Sequence, residues 1–141
     1  LSEINLPIYG DGRNMREWLF VNVHAEALIL VLEKGIVGRC YNIGSNYECT
    51  NIELANLVCK ILNDHKPRKY GKYEELITFV DDRPGHDKRY AIDSSRIETE
   101  LFWSPKVDLN TGLNLTIRWY IDNKNWLQNI FPRKKMKSTS T

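Results

Sequence analysis

Cysteine is scarce in this chain of 141 residues. The three present, Cys40, Cys49 and Cys59, are odd in number, and no two show the C-x-x-C spacing of a redox or structural zinc site. Reduced thiols are expected, with Cys59 packed on a helix, and no metal site is expected. No apolar run approaches the ~20 residues of a membrane-spanning helix, and no secretory leader pattern is visible. The signatures G-x-G-x-x-G, G-x-S-x-G and H-E-x-x-H are also missing. His24, His65 and His86 are scattered rather than clustered. A broad basic footprint for nucleic acid is lacking as well. The net charge is +2, and removing Arg133, Lys134, Lys135 and Lys137 leaves the body at −2.

What remains is a globular composition, 42% hydrophobic and 27% charged. That suits a single domain with a small core. Residues 1–131 are expected to form it, and residues 132–141 to make a disordered basic tail rich in Ser and Thr. The first residue is Leu1 rather than methionine, and the chain is expected to be a fragment or excised domain.

Short strands alternate with helices, which makes the fold α/β. Strands are expected at residues 6–9, 40–43, 76–80 and 90–92, with a further short apolar run at 17–21. Asn22 is expected to cap a helix over residues 23–34, stopped by Gly35. Val23, Ala27, Leu28, Leu30, Val31 and Leu32 cover more than one face of it, so burial on several sides is expected. Thr50 and Glu53 form a capping box ahead of a second helix. Asp93 is expected to cap a short helix around Ile97 and Leu101, broken by Pro105. Asp108 is expected to cap a last helix reaching Ile121.

Three segments have a second reading beside the plain structural one. Leu6-Pro7-Ile8-Tyr9-Gly10-Asp11-Gly12, followed by Arg16-Glu17-Trp18, is either a hairpin with a solvated arginine or a strand end that aims Arg16 at a ligand. Tyr41-Asn42-Ile43-Gly44, leading to Thr50-Asn51, is either an ordinary capped helix or an anion site built from free N–H groups at Asn51. Asp82-Arg83-Pro84-Gly85-His86-Asp87 is either a polar turn or a preset loop that aims Arg83 and His86 at a phosphate. Together they suggest a diphosphate ligand.

The same segments resemble the dTDP-glucose 4,6-dehydratases of the extended short-chain dehydrogenase/reductase superfamily. The first is similar to their P-x-Y-G-D-G…R-[DE]-W segment, and the second to their Y-N-I-G strand. The third, continued by Arg89-Tyr90-Ala91-Ile92-Asp93, is similar to D-R-P-G-H-D-x-R-Y-A-I-D. Trp103-x-Pro105 and the Thr116-Ile117-x-Trp119-Tyr120 helix also fit, so the likeness runs over residues 6–130. Ser45-Asn46-Tyr47 and Asn22-Val23 depart from the family pattern.

The resemblance implies that the chain is the small C-terminal substrate-binding domain of such an enzyme, its N-terminal Rossmann domain absent. It implies a cytoplasmic homodimer acting on dTDP-glucose or a related nucleotide sugar. In that reaction NAD oxidises the sugar at C4, water leaves across C5 and C6, and the hydride returns to C6. NAD and the catalytic residues would belong to the absent half, so this chain alone is expected to be inactive. Substrate contacts are implied at Pro7, Ile8, Tyr9, Arg16, Asn51, Arg83 and His86. A UDP-sugar epimerase or decarboxylase of the same superfamily and a non-catalytic binding module are the competing readings.

Overall fold

The computed structural model describes residues 3–130, so the expected tail at 132–141 lies outside the described residues. Strand β1 (Leu6–Tyr9) pairs in parallel with β4 (Ile77–Val80), Leu6 opposite Ile77 and Tyr9 opposite Val80. Pro7 has no N–H to donate and is tolerated because this two-stranded sheet is all edge. The chain then turns through Gly10 and Gly12, at φ of 57° and 73°. Glycine at 12 is required twice over. Its φ is left-handed, and a Cβ there would lie 2.8 Å from Ile8 Cγ2 and 2.9 Å from Ile52 Cβ.

That turn delivers β2 (Met15–Glu17), which pairs antiparallel with β3 (Glu48–Thr50). The pairing draws Met15 to Glu17 into a strand and leaves the run expected at 17–21 with only its first residue extended in a sheet. Strand β3 passes directly into α2 (Asn51–His65) through the expected capping box. Thr50 Oγ1 accepts from the Glu53 N–H, and the Glu53 carboxylate accepts from the Thr50 N–H at 2.8 Å.

Those bonds, the one from the Thr50 N–H first, hold the Glu53 carboxyl below its usual range. A depressed carboxylate contributes stability above its unfolded value of about 4, and that stability is lost as the pH falls through the folded value. Glu53→Gln, whose amide oxygen can accept the same bonds without the charge, is therefore expected to be less stable than the parent near neutrality. Urea midpoints of parent and variant should converge on acidification, and a gap that stays constant down to strong acid would count against this account.

Helix α1 (Val21–Lys34) begins two residues earlier than expected, with Phe20 at the N-cap and Asn22 inside the first turn. No side chain caps it. Val23 and Ala27, four residues apart and so on one face, pack against Ile97 and Trp103, with Phe20 and Leu19 around them. Hydrophobic anchoring, rather than Asn22, sets the start of the helix. The expectation of burial on several sides does not hold within these residues, because no second layer covers the far face. Leu28, Ile29 and Leu32 are exposed, Leu32 at 86%.

Residues 40–43 form no strand, since among the described residues no neighbouring strand offers them a ladder; Tyr41 instead donates its hydroxyl to Glu100 at 2.9 Å. Residues 90–92 form none either; among the described residues an isolated bridge pairs the preceding Arg89 with Met15. Helix α3 (Ser95–Leu101) has Asp93 accepting from the Ser95 N–H, and it ends on Phe102 in the left-handed region, which turns Trp103 into the core. Helix α4 (Leu109–Asp122) starts at Asp108 as expected. It packs on α2 and is followed by α5 (Lys124–Ile130), which the periodicity did not foretell. None of the described helices is long and apolar enough to cross a membrane.

Candidate functional site

The β1 strand and the first two turns of α2 face one another across a cleft of ≈350 Å³. Its walls bring together Pro7, Ile8, Tyr9 and Asn51, all four of them candidates from the sequence. Leu6, Trp18, Leu54, Ala55 and Val58 complete the cleft and were not among the candidates. A signal for them existed: Asn51, Leu54, Ala55 and Val58 stand at i, i+3, i+4 and i+7, one face of a helix. The cleft is mostly apolar and of a size that holds an aromatic base.

Of the two readings of the α2 N-terminus, the structure shows the ordinary capped helix, and its first N–H groups are already bonded. The Asn51 N–H donates to the Asn14 carbonyl at 3.1 Å and the Ile52 N–H to the Gly12 carbonyl at 3.0 Å. The Glu53 N–H is taken by Thr50. The 12–14 turn thus consumes the donors that the capping pattern alone left free. Asn51 keeps its side chain as a wall of the cleft.

The polar part of the site is built on β2 and on the loop after β4. Arg16 lies over the Tyr90 ring, its Cζ 4.5 Å from the centroid. Its Nη1 donates to the Met15 carbonyl at 2.6 Å and its Nη2 to the Asp87 carbonyl at 2.9 Å. Nη2 also lies 3.1 Å from His86 Nε2. Three of the five guanidinium N–H groups are thereby engaged, and Nε–H and one Nη1–H remain for a ligand.

The His86 side chain is only 7% exposed. Its Nδ1 lies 2.7 Å from Asp82 Oδ1, and its ring meets Tyr9 edge-on at 6.4 Å. The hydrogen bond from His86 holds the Asp82 carboxyl below its usual range. Tyr9 is therefore shared between the apolar cleft and the polar cluster, and the two form one continuous surface.

Arg83 is placed differently from Arg16. Its side chain is exposed and makes no hydrogen bond among the described residues; only its backbone N–H is held, by Asp82 Oδ1 at 2.9 Å. Both arginines nevertheless act on Tyr90 through their charge. The Tyr90 hydroxyl is pushed up first by its hydrogen bond to Asp87, with Arg16 and Arg83 pulling it back down.

Two further residues hold the cluster in shape and were missed. Buried Asn14 donates its side-chain amide to the Asp87 carbonyl at 3.3 Å while its own carbonyl receives Asn51. Glu17 accepts from the N–H groups of Ser45, Asn46 and Ile92, the last two at 2.9 Å. A Cβ at Gly44 would run into Glu17 Oε1, so the glycine after Ile43 is what lets the carboxylate reach the loop. Among the described residues no cluster of His, Cys, Asp or Glu could hold a metal ion.

Comparison with known proteins gives consistent results. The family model described as GDP-mannose 4,6 dehydratase matches residues 2–116. The dTDP-glucose 4,6-dehydratase of Neisseria meningitidis serogroup B is 49% identical over 128 residues, which are 89% of this chain and 36% of that protein. The crystal structure of dTDP-glucose 4,6-dehydratase from Bacillus anthracis in complex with NAD superposes with a TM-score of 0.74 at 41% identity, over 87% of this chain and 36% of that one. The UDP-glucose 4-epimerase of Thermotoga maritima, solved with UDP-glucose, reaches a TM-score of 0.69 at 26% identity, over 85% of this chain and 36% of that one. The chain thus spans about a third of the length of these relatives.

Proposed function

This chain belongs to the GDP-mannose 4,6 dehydratase family, and from that membership we propose that it is the nucleotide-sugar-binding part of a dTDP-glucose 4,6-dehydratase. The α/β fold is that of the extended short-chain dehydrogenase/reductases. The observation that carries the proposal is the continuity of the site. An apolar cleft walled by Pro7, Ile8, Tyr9 and Asn51 runs through Tyr9 into a cationic cluster centred on Arg16. A base in the cleft and a diphosphate against Arg16 and Arg83 would use both halves of that surface.

In this reading the chain grips the nucleotide end of dTDP-glucose and leaves the sugar to the part of the enzyme outside these residues. NAD, when bound there, supplies the hydride acceptor and donor. The residues present do not fit a dinucleotide, because no glycine-rich turn opens a helix among them. This chain alone is expected to be inactive. A cytoplasmic homodimer remains the assembly that the resemblance suggests.

The epimerase reading is kept because the same fold serves it. The identities, 41% against 26%, favour the dehydratase. Mass spectrometry on the product made by the intact polypeptide that carries this chain separates the two. Incubation with dTDP-glucose is expected to give a product lighter by one water. An isobaric product, or turnover of UDP-glucose alone, would replace this reading with an epimerase, and no turnover of either would leave a binding module.

A further inference from the structure

We propose that Asp82 and His86 are positioning residues for Arg16: Asp82 selects the histidine tautomer that receives the arginine, and His86 acts on the diphosphate only through Arg16. The proposal rests on the nucleotide-sugar reading given above and assigns His86 a role different from the direct contact that the resemblance implied.

The geometry leaves one consistent proton arrangement. An arginine has no acceptor, so the 3.1 Å approach of Arg16 Nη2 to His86 Nε2 requires a lone pair on Nε2. The ring proton must then sit on Nδ1, and 2.7 Å away Asp82 Oδ1 is there to accept it. With carboxylate, imidazole and guanidinium in line, each bond polarises the next. The ring is 7% exposed with both nitrogens engaged, so no nitrogen is left to touch a ligand.

The neighbouring groups point the same way. Asp87 takes the other Nη2 hydrogen through its carbonyl, and Tyr90 supplies a flat floor under the guanidinium. Asp82 itself is fixed twice, by the Arg83 N–H at 2.9 Å and by its approach to Gly10, where a Cβ would lie 3.0 Å from Oδ2. The result is an arginine that arrives already oriented, with Nε–H and one Nη1–H left for the ligand. Preorganisation of this kind strengthens binding by removing the cost of ordering a long side chain.

The experiment is a double-mutant cycle read by calorimetry with dTDP on the intact polypeptide, together with ¹⁵N NMR of the His86 ring in the parent. Asp82→Asn keeps the shape and an acceptor for the Arg83 N–H but removes the charge that fixes the tautomer. It is expected to weaken dTDP about ten-fold, as is His86→Ala, and the double variant should be no weaker than His86→Ala alone. The parent spectrum should show the Nδ1–H form, and Asp82→Asn should shift it toward Nε2–H. Losses that add in the double variant, an unchanged affinity in Asp82→Asn, or a parent ring protonated on Nε2 alone would each overturn the proposal. If Arg16→Ala itself leaves dTDP binding unchanged, the placement of the diphosphate against Arg16 fails instead, and the NMR result still decides the tautomer; a parent that binds no dTDP would sink the nucleotide-sugar reading.

Discussion

Replacing Arg16 by alanine is expected to weaken dTDP binding by the intact polypeptide about ten- to a hundred-fold. A charge-assisted hydrogen bond from a guanidinium to a phosphate is worth roughly 1.5–3 kcal/mol, and alanine cannot make it. Arg16 is half-buried and held by Met15, His86 and Asp87, so little ordering cost is left when an anion arrives. Lysine should recover only part of the affinity. It keeps the charge but cannot bridge His86 and Asp87 while lying flat on Tyr90.

Arg83→Ala should cost less. That side chain is exposed and makes no hydrogen bond among the described residues, so it must be ordered when the ligand binds. The affinity for NAD should hardly change in either variant. Calorimetry with dTDP checks the ranking. Equal effects for the two arginines would mean that the scaffold around Arg16 does not matter, and no effect in either would move the phosphates elsewhere.

Removing the Glu17 carboxylate is expected to be the most damaging single change to the frame of the site. Glu17 accepts from three backbone N–H groups in two segments remote in sequence, at Ser45, Asn46 and Ile92. Bonds to a charged acceptor are the stronger kind, and buried donors left without one are costly. Asn46 and Ile92 are exposed, so water replaces part of what the carboxylate supplied. Glu17→Ala should therefore cost about 2 kcal/mol.

The damage should also reach binding. Ile92 is two residues from Tyr90, and freeing it loosens the floor beneath Arg16. Glutamine keeps one oxygen for Ser45 and Asn46 but turns an amide toward Ile92, so Glu17→Gln should show roughly half the destabilisation. Urea midpoints with dTDP titrations on the same variants provide the measurement. A Glu17→Ala protein as stable as the parent would show that the clamp is incidental.

Much of the frame is local chemistry and can be read along the chain. The capping box at Thr50 and Glu53, the cap at Asp108 and the turn at Gly10 and Gly12 each show in residues close in sequence, through their side chains and φ values. The candidate residues of β1 and Asn51 were legible for a related reason, since a strand and a helix start each project side chains in a known direction.

Strands fared worse. A strand is stable only against a partner, and among the described residues the apolar runs at 40–43 and 90–92 have no neighbour to form a ladder with, whereas the polar Glu48–Thr50 does. The start of α1 was misplaced because Phe20 and Leu19 pack on a core made by Ile97 and Trp103, which no cap pattern encodes.

The α/β class, the family resemblance and the candidate arginines and loop can all be read from the order of residues. Where those groups sit, and which partners they meet, is set by the packed chain. It spent the helix N–H groups on the Gly12 and Asn14 carbonyls, and it set His86 behind Arg16 across 70 positions of chain. It also closed Glu17 over residues 28 to 75 positions away. A hydrogen bond between remote segments depends on where the fold brings their ends, and that placement is a property of the packed whole.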